Sequence, residues 1–384
     1  MDIDVVRERA ARAIIPLKAA TAETSAPKDL LFTAHRLISS RDLPPYHLVY
    51  FLLVDLLGFR NLGRFEKLAW SVPVDYAGRA YLFEHRKMGF GLFGERGDYA
   101  AADAREISRR LLKGMKAAEP YFTWRAAQAI AASHVNVTNR ATELFERYQY
   151  FAAAYRAKRD EAEARKDEQI RTDLPNGGWT VEMPVWKLRT ETKWLALAAI
   201  EGFFSWTEHA FVLLAILRGQ ARTGDAVGRL ALADWAAKFQ AALDITEPTT
   251  KRFYDDLVVI RQQLRNLVAH GAFGKDGDAF RMHSAAGAVP VRVIGKRGAP
   301  AYRFGYGVTF VEDAAITRLA AFVDHLWDGD RRAAWIYIQD WQLPLILTHA
   351  ADGTYANAMA SPEAMEAYAR ALAEEMDRNA NMDW

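Results

Sequence analysis

The chain has no cysteine. Disulfides, thiolate zinc sites, iron–sulfur clusters and cysteine nucleophiles are thereby excluded. An excess of one charge is missing too: 50 Lys and Arg against 48 Asp and Glu leave a formal net charge of +2, so any polyanion-binding patch must be local. Proline is scarce at 13, with 24 glycines in 384 residues. With 51% hydrophobic and 26% charged residues, low-complexity, collagen-like and disordered behaviour are excluded for most of the length. No apolar run reaches the ~18 uninterrupted residues of a membrane span. Asp55 breaks HLVYFLLVDLLGF, and Glu191, Glu201 and Glu208 punctuate the stretch around Phe211. The start, MDIDVVRERAARAII, mixes acids and bases where a secretory signal needs a basic start and an unbroken apolar run. The expectation is a cytoplasmic chain with no membrane partner, built at roughly 150 residues per domain from two or three domains.

What is present is helical periodicity. Leu30, Leu31, Ala34, Leu37 and Ile38 recur at helical spacing before Leu43-Pro44-Pro45, and 47–59 reads as a second apolar helix. Val72, Val74 and Tyr76, then 80–83, alternate around Gly78 as a hairpin. Helices resume near Ala101, and 141–171 predicts one long helix. Its charged second half, YRAKRDEAEARKDEQIR, reads as a projecting arm or a coiled-coil partner. The breakers Leu174-Pro175-Asn176-Gly177-Gly178 and Pro184 place a boundary at 174–186. Beyond it, helices are expected over 192–217, 225–243, 250–270 and 313–338. The glycine-punctuated VPVRVIGKRGAPAYRFGYGVTFV forms a β-hairpin inserted between the last two. The fold class is therefore mainly α. Residues 1–173 form a mostly helical N-terminal domain with a small β-hairpin, 187–345 a helical bundle with an inserted β-hairpin, and 346–384 a C-terminal helical extension.

The informative segment is RQQLRNLVAHG, 261–271. With Phe253 at the zero of a helical wheel of ~100° per residue, Leu257, Ile260, Leu264, Leu267 and Val268 fall within about 60° of it. Gln262, Asn266 and His270 fall at about 180°, 220° and 260°, with Arg265 near 120°, so a polar line faces away from the core stripe. His270 lies in the last helical turn because Gly271 is a natural residue to follow a helix end. The helix terminus favours imidazolium while Arg265 disfavours it, which keeps the histidine near its ordinary pKa of ~6.5. Arg265 offers a bidentate fork for phosphate. An acid–base group beside a phosphate clamp is the minimum equipment for cleaving a phosphodiester without a metal. The alternative reading is a solvated helix face ending at a glycine.

Arg265-Asn266-Leu267-Val268-Ala269-His270-Gly271 resembles the signature of the HEPN superfamily, helical domains marked by an Arg, four to six residues and a His. FFSWTEHAFVLLAIL is similar to the acidic first helix of many members, with Glu208 at the matching polar position. Spacing alone does not select this pair, since Arg41–His47, Arg79–His85 and Arg318–His325 satisfy it too. The first spans Pro44-Pro45, the second lies in an expected strand, and the third lacks the polar follower and the glycine. The resemblance covers about 190–340. It implies a metal-independent, cofactor-free endoribonuclease that pairs two motifs in a homodimer, of the kind found in toxins and antiviral defence. His270 would be the acid or base at the RNA 2′-hydroxyl, Arg265 the phosphate stabiliser, Asn266 an orienting group, and Glu208 a holder of Arg265 or His270. Arg261, Lys296, Arg297 and Arg303 are candidate RNA contacts, the last three beside Tyr302 and Tyr306 on the inserted hairpin. A second reading is a non-catalytic dimerisation module whose N-terminal half receives a protein partner. Gly89-Phe90-Gly91-Leu92-Phe93-Gly94 fits a dinucleotide fingerprint, yet its flanks are charged and no helix opens at the glycines. It reads as a glycine-rich strand or turn against which aromatics pack.

Overall fold

The computed structural model describes residues 1–39, 41–270, 280–293, 301–305 and 311–382; side chains at 265–270 and 292–293 lie outside the description. The architecture is mainly α with small antiparallel sheets, as expected. The chain divides into two compact units, 1–132 with 370–384, and 133–369.

In the first unit α1 (Ile3–Ile14) starts where Asp2 accepts hydrogen bonds from the Asp4 and Val5 N–H groups, and it buries Val6, Ala10 and Ile14 at intervals of four. Strand β1 (Lys18–Ala19), the short α2 (Leu30–Thr33), β2 (His35–Ser39) and α3 (Tyr46–Tyr50) follow, the last widening into a π-turn over Phe51–Leu56. The helix expected over 30–38 is thus one turn of helix and a strand. The strand pairs with 91–94, closing a sheet edge that would otherwise present unpaired backbone groups. Strands β3 (Leu68–Tyr76), β4 (Arg79–Arg86) and β5 (Gly89–Gly94) complete a five-stranded antiparallel sheet in the order β1-β3-β4-β5-β2, followed by α4 (Ala100–Ala131). Trp70, Val72, Val74, Tyr81, Phe83, Phe90 and Leu92 form one sheet face, packed in a single core with Ile14, Leu52, Ile107 and Leu111. The opposite face carries Ser71, Glu84, Arg86 and Phe93, the pairs set by the register Ser71↔Glu84 and Leu82↔Phe93.

The second unit opens with β6 (Asn136–Val137), α5 (Ala141–Ala164), the hairpin β7 (Ile170–Asp173) and β8 (Trp179–Glu182), and α6 (Pro184–Leu217). Helix α5 does not project. Phe145, Tyr148, Ala152 and Tyr155 are buried, and a Cβ at Gly202 of α6 would stand 3.2 Å from the Tyr148 Cα, so the two backbones cross closely. That packing moves the boundary from 174–186 to the end of α4, and the Pro175–Gly178 breakers turn a hairpin inside the unit. Nor is 346–384 a separate extension. Strand β12 (Leu345–Ile346) pairs with β6, and the division falls at residue 369 instead. Where one helix was expected over 225–243, α7 (Gly224–Leu232) and α8 (Trp235–Ala242) are separated by an extended Ala233. Asp234 then caps α8 through the Ala237 N–H. Helix α9 (Pro248–His270), the three strands β9 (Phe280–Ser284), β10 (Gly287–Val293) and β11 (Tyr302–Phe304), and α10 (Glu312–Leu326) follow. The chain ends in α11 (Arg332–Trp335), α12 (Leu347–Ala351), α13 (Thr354–Ala358) and α14 (Pro362–Asn381). Phe203, Phe211, Phe239 and Phe253 surround Phe322 with ring centroids 5.5–6.2 Å away. Among the described residues α6 is the helix long and apolar enough to cross a membrane, with mean hydropathy 1.3 over its most apolar window. As 78% of that window is buried inside the protein, its apolarity serves the bundle core.

Candidate functional site

Helix α9 begins at Glu247, whose carboxylate accepts the Thr250 and Thr249 N–H groups; these bonds hold its pKa down at about 2. Phe253, Leu257, Ile260 and Leu264 form the buried stripe and Gln262 is exposed. Leu267 and Val268, and the side chains of Arg265, Asn266 and His270 that carry the expected chemistry, lie outside the description, as do residues Lys296, Arg297 and Tyr306. The α9 backbone is helical through His270.

One turn before Arg265, Arg261 donates from Nη2 to Oε1 of Glu208 on α6 at 2.7 Å. Lys238 of α8 donates to Oε2 of the same carboxylate at 3.1 Å. Lys238 is 8% exposed along its side chain, against 39% for Arg261 and 35% for Glu208. The acid therefore ties three helices together. Among the described side chains its partners are Arg261 and Lys238; Arg265 and His270, the partners the resemblance implied, lie outside the described side chains. Arg261, expected as an RNA contact, is correspondingly ion-paired, 5.9 Å from the ring centroids of Phe204 and Trp235. Arg218 of the α6 end and Thr250 of the α9 start line one cavity, so the pairing of Glu208 with Arg261 makes the two helices antiparallel. At ~1.5 Å per residue, the last residues of α9 run back along α6 toward the stretch around Ala199.

The neighbouring histidines are structural. His209 accepts the Arg140 N–H at Nε2, 2.9 Å away. His325 bonds the Thr250 hydroxyl at 2.8 Å and stacks on Phe253 with centroids 4.9 Å apart. Arg318, its partner in the competing Arg–His spacing, pairs with Asp256 at 2.7 Å and lies 3.9 Å over Phe253. Burial lowers the pKa of both histidines, helped by the Arg140 charge at His209 and mainly the Arg331 charge at His325. The folded state then binds fewer protons than the unfolded chain, whose histidines titrate near 6.5. Stability is complete above that value and falls as pH drops below it. The urea midpoint should therefore be lower at about pH 5.5 than at about pH 7.5, and the drop smaller in His209→Gln, which retains an acceptor for Arg140. A drop that is unchanged in the variant would show that His209 is not one of the titrating groups.

The inserted strands separate what the sequence had grouped. Register places Phe280, Val291 and Phe304 opposite one another, with Val293 opposite Tyr302, whereas Arg292 faces Arg303 and Arg281 faces Pro290. Arg303 is exposed, on the face opposite Tyr302, because neighbours along a strand alternate sides. The sequence reading also missed three exposed tryptophans, Trp179, Trp186 and Trp194, at 59%, 63% and 65%. Arg171 lies 5.3 Å from the Trp179 ring centroid and Arg189 lies 5.8 Å from that of Trp186. On α6, Trp186, Arg189, Lys193 and Trp194 fall at i, i+3, i+7 and i+8, a spacing visible in WKLRTETKW once the helix is started at Pro184. Among the described residues no group of three or more His, Asp or Glu is placed to hold a metal ion. No family model matches the chain, and neither does any curated protein or solved structure.

Proposed function

We propose that the second unit is a metal-independent endoribonuclease of HEPN type, acting in the cytoplasm as a homodimer, in antiviral defence or as a toxin. The observation that carries this reading is the antiparallel pairing of α6 with α9 through Glu208 and Arg261, one turn before Arg265. The acid of the first helix is thereby paired to the helix that bears the motif, one turn from Arg265. In this reading His270 moves the proton of the RNA 2′-hydroxyl, Arg265 neutralises charge that develops on the phosphate, and Asn266 orients either group. Glu208 acts one step back, fixing the α9 axis through Arg261. The basic and aromatic stripe of Trp186, Arg189, Lys193 and Trp194 offers a single strand both stacking faces and cations, and lies along α6 beyond the level that the α9 end approaches. Incubation of purified protein with RNA in EDTA tests the class: products should end in 2′,3′-cyclic phosphate and 5′-hydroxyl. Intact RNA, or cleavage that requires added metal, would refute it. The exposed tryptophans with adjacent arginines also favour a second reading, a protein-docking module without catalysis, since Trp and Arg dominate interface hot spots.

A further inference from the structure

The second face of the five-stranded sheet opens on a cavity of about 920 Å³, within the range of small-molecule sites. Its floor is built by the sheet. Glu84, 3% exposed along its side chain, accepts the Ser71 hydroxyl at Oε1 (3.0 Å) and the Arg86 Nε at Oε2 (2.6 Å), so its charge is answered. The Arg86 guanidinium lies 4.1 Å from the Phe93 ring centroid and that of Arg36 5.3 Å from it. The bonds the structure gives Arg36 run to the carbonyl oxygens of Met88 and Gly89, which leave its charge without a carboxylate. Gly91 makes this possible: a Cβ there would stand 3.0 Å from both Arg36 Nε and Phe93 Cε2, and 3.2 Å from the Ile38 carbonyl. The glycine-rich segment that mimics a dinucleotide fingerprint thus clears room for a cation over an aromatic floor.

The walls are apolar. Leu31 and Phe32 on one side, and Phe65 and Met88 on others, line the cavity while remaining 46%, 89%, 54% and 83% exposed. Of the charged lining, Arg86 is paired with Glu84, and Lys67 and Lys87 donate to Asn381 at 3.3 and 2.8 Å, so the positive charge open to a ligand is that of Arg36. Large apolar side chains gathered at a mouth, above a floor of surplus positive charge, are complementary to one chemical class. We propose that this cavity binds an amphipathic anion, an apolar chain or ring system ending in a carboxylate, with the headgroup at Arg36 and the body against Phe32, Phe65 and Met88. The site is independent of the nuclease reading.

Isothermal titration with dodecanoate below its micelle concentration tests this, with dodecanol and dodecyltrimethylammonium as neutral and cationic counterparts. The expected result is saturable one-to-one binding of dodecanoate, weaker by about tenfold or more for each counterpart, a difference of ~1.4 kcal/mol. Arg36→Glu should abolish that preference, and Phe32→Asp should weaken all binding, with urea midpoints confirming that both variants fold. Absence of saturable dodecanoate binding, equal affinity for the three headgroups, or a headgroup preference that survives Arg36→Glu would each overturn the assignment.

Discussion

Phe322→Ala should lower the stability of the second unit by about 3–5 kcal/mol, the usual cost of deleting a buried phenyl ring that neighbours cannot replace. The ring is fully buried and holds Phe203 and Phe211 of α6, Phe239 of α8 and Phe253 of α9 in edge-on and stacked contacts. Trp235 and Phe239 of α8 reinforce the same junction, each touching rings of α6 and α9. Against a typical total of ~5–15 kcal/mol, the loss is about a fifth or more of what keeps such a unit folded. Thermal unfolding followed by circular dichroism should show a fall of about 6–20 °C at this chain length. Phe322→Leu, which retains much of the volume, should cost far less. A variant with the wild-type melting temperature would mean that α10 is not packed into this core.

Arg265→Ala should cost about 10²–10³ in kcat with little change in KM, as removal of a donor that acts on transition-state charge does. Arg265→Lys should recover part of the loss, since it restores the charge without the two-pronged fork. The contrast is Arg261→Ala, four residues earlier on the same helix. Its pair with Glu208 is more than a third exposed, so solvent screening limits its worth to at most about 1 kcal/mol. Its expected signature is a small fall in urea midpoint with cleavage largely retained. Equal kinetic losses in the two variants would show that the helix, and not the Arg265 guanidinium, is what matters.

The features readable in the sequence are those that one helix decides alone. The stripe of Phe253, Leu257, Ile260 and Leu264 follows from spacing, because a bundle helix must bury one face wherever its partners lie, whereas α6 starts at Pro184, ahead of the expected 192, and the helix expected over 313–338 stops at Leu326. What depended on a distant partner was not readable. Leu37 and Ile38 suit a helix or a strand equally, and the open edge of β5 decides between them. The charge of α5 suggested an arm, but its Phe145 and Tyr148 meet Trp206 and Phe203 of α6, more than fifty residues on, and the boundary moves with them. Glu208 could be recognised as a polar position on an apolar helix, whereas its partners Arg261 and Lys238 come from two other helices. The anion cavity gathers short segments from 31 to 93, with no local pattern to announce it.

The most direct measurement is the rate of RNA cleavage by His270→Ala relative to wild type in EDTA, with melting temperatures compared in parallel. The account predicts a loss of about 10²–10⁴-fold, the contribution of a positioned acid or base, at an unchanged melting temperature. Equal rates for the two proteins would contradict it.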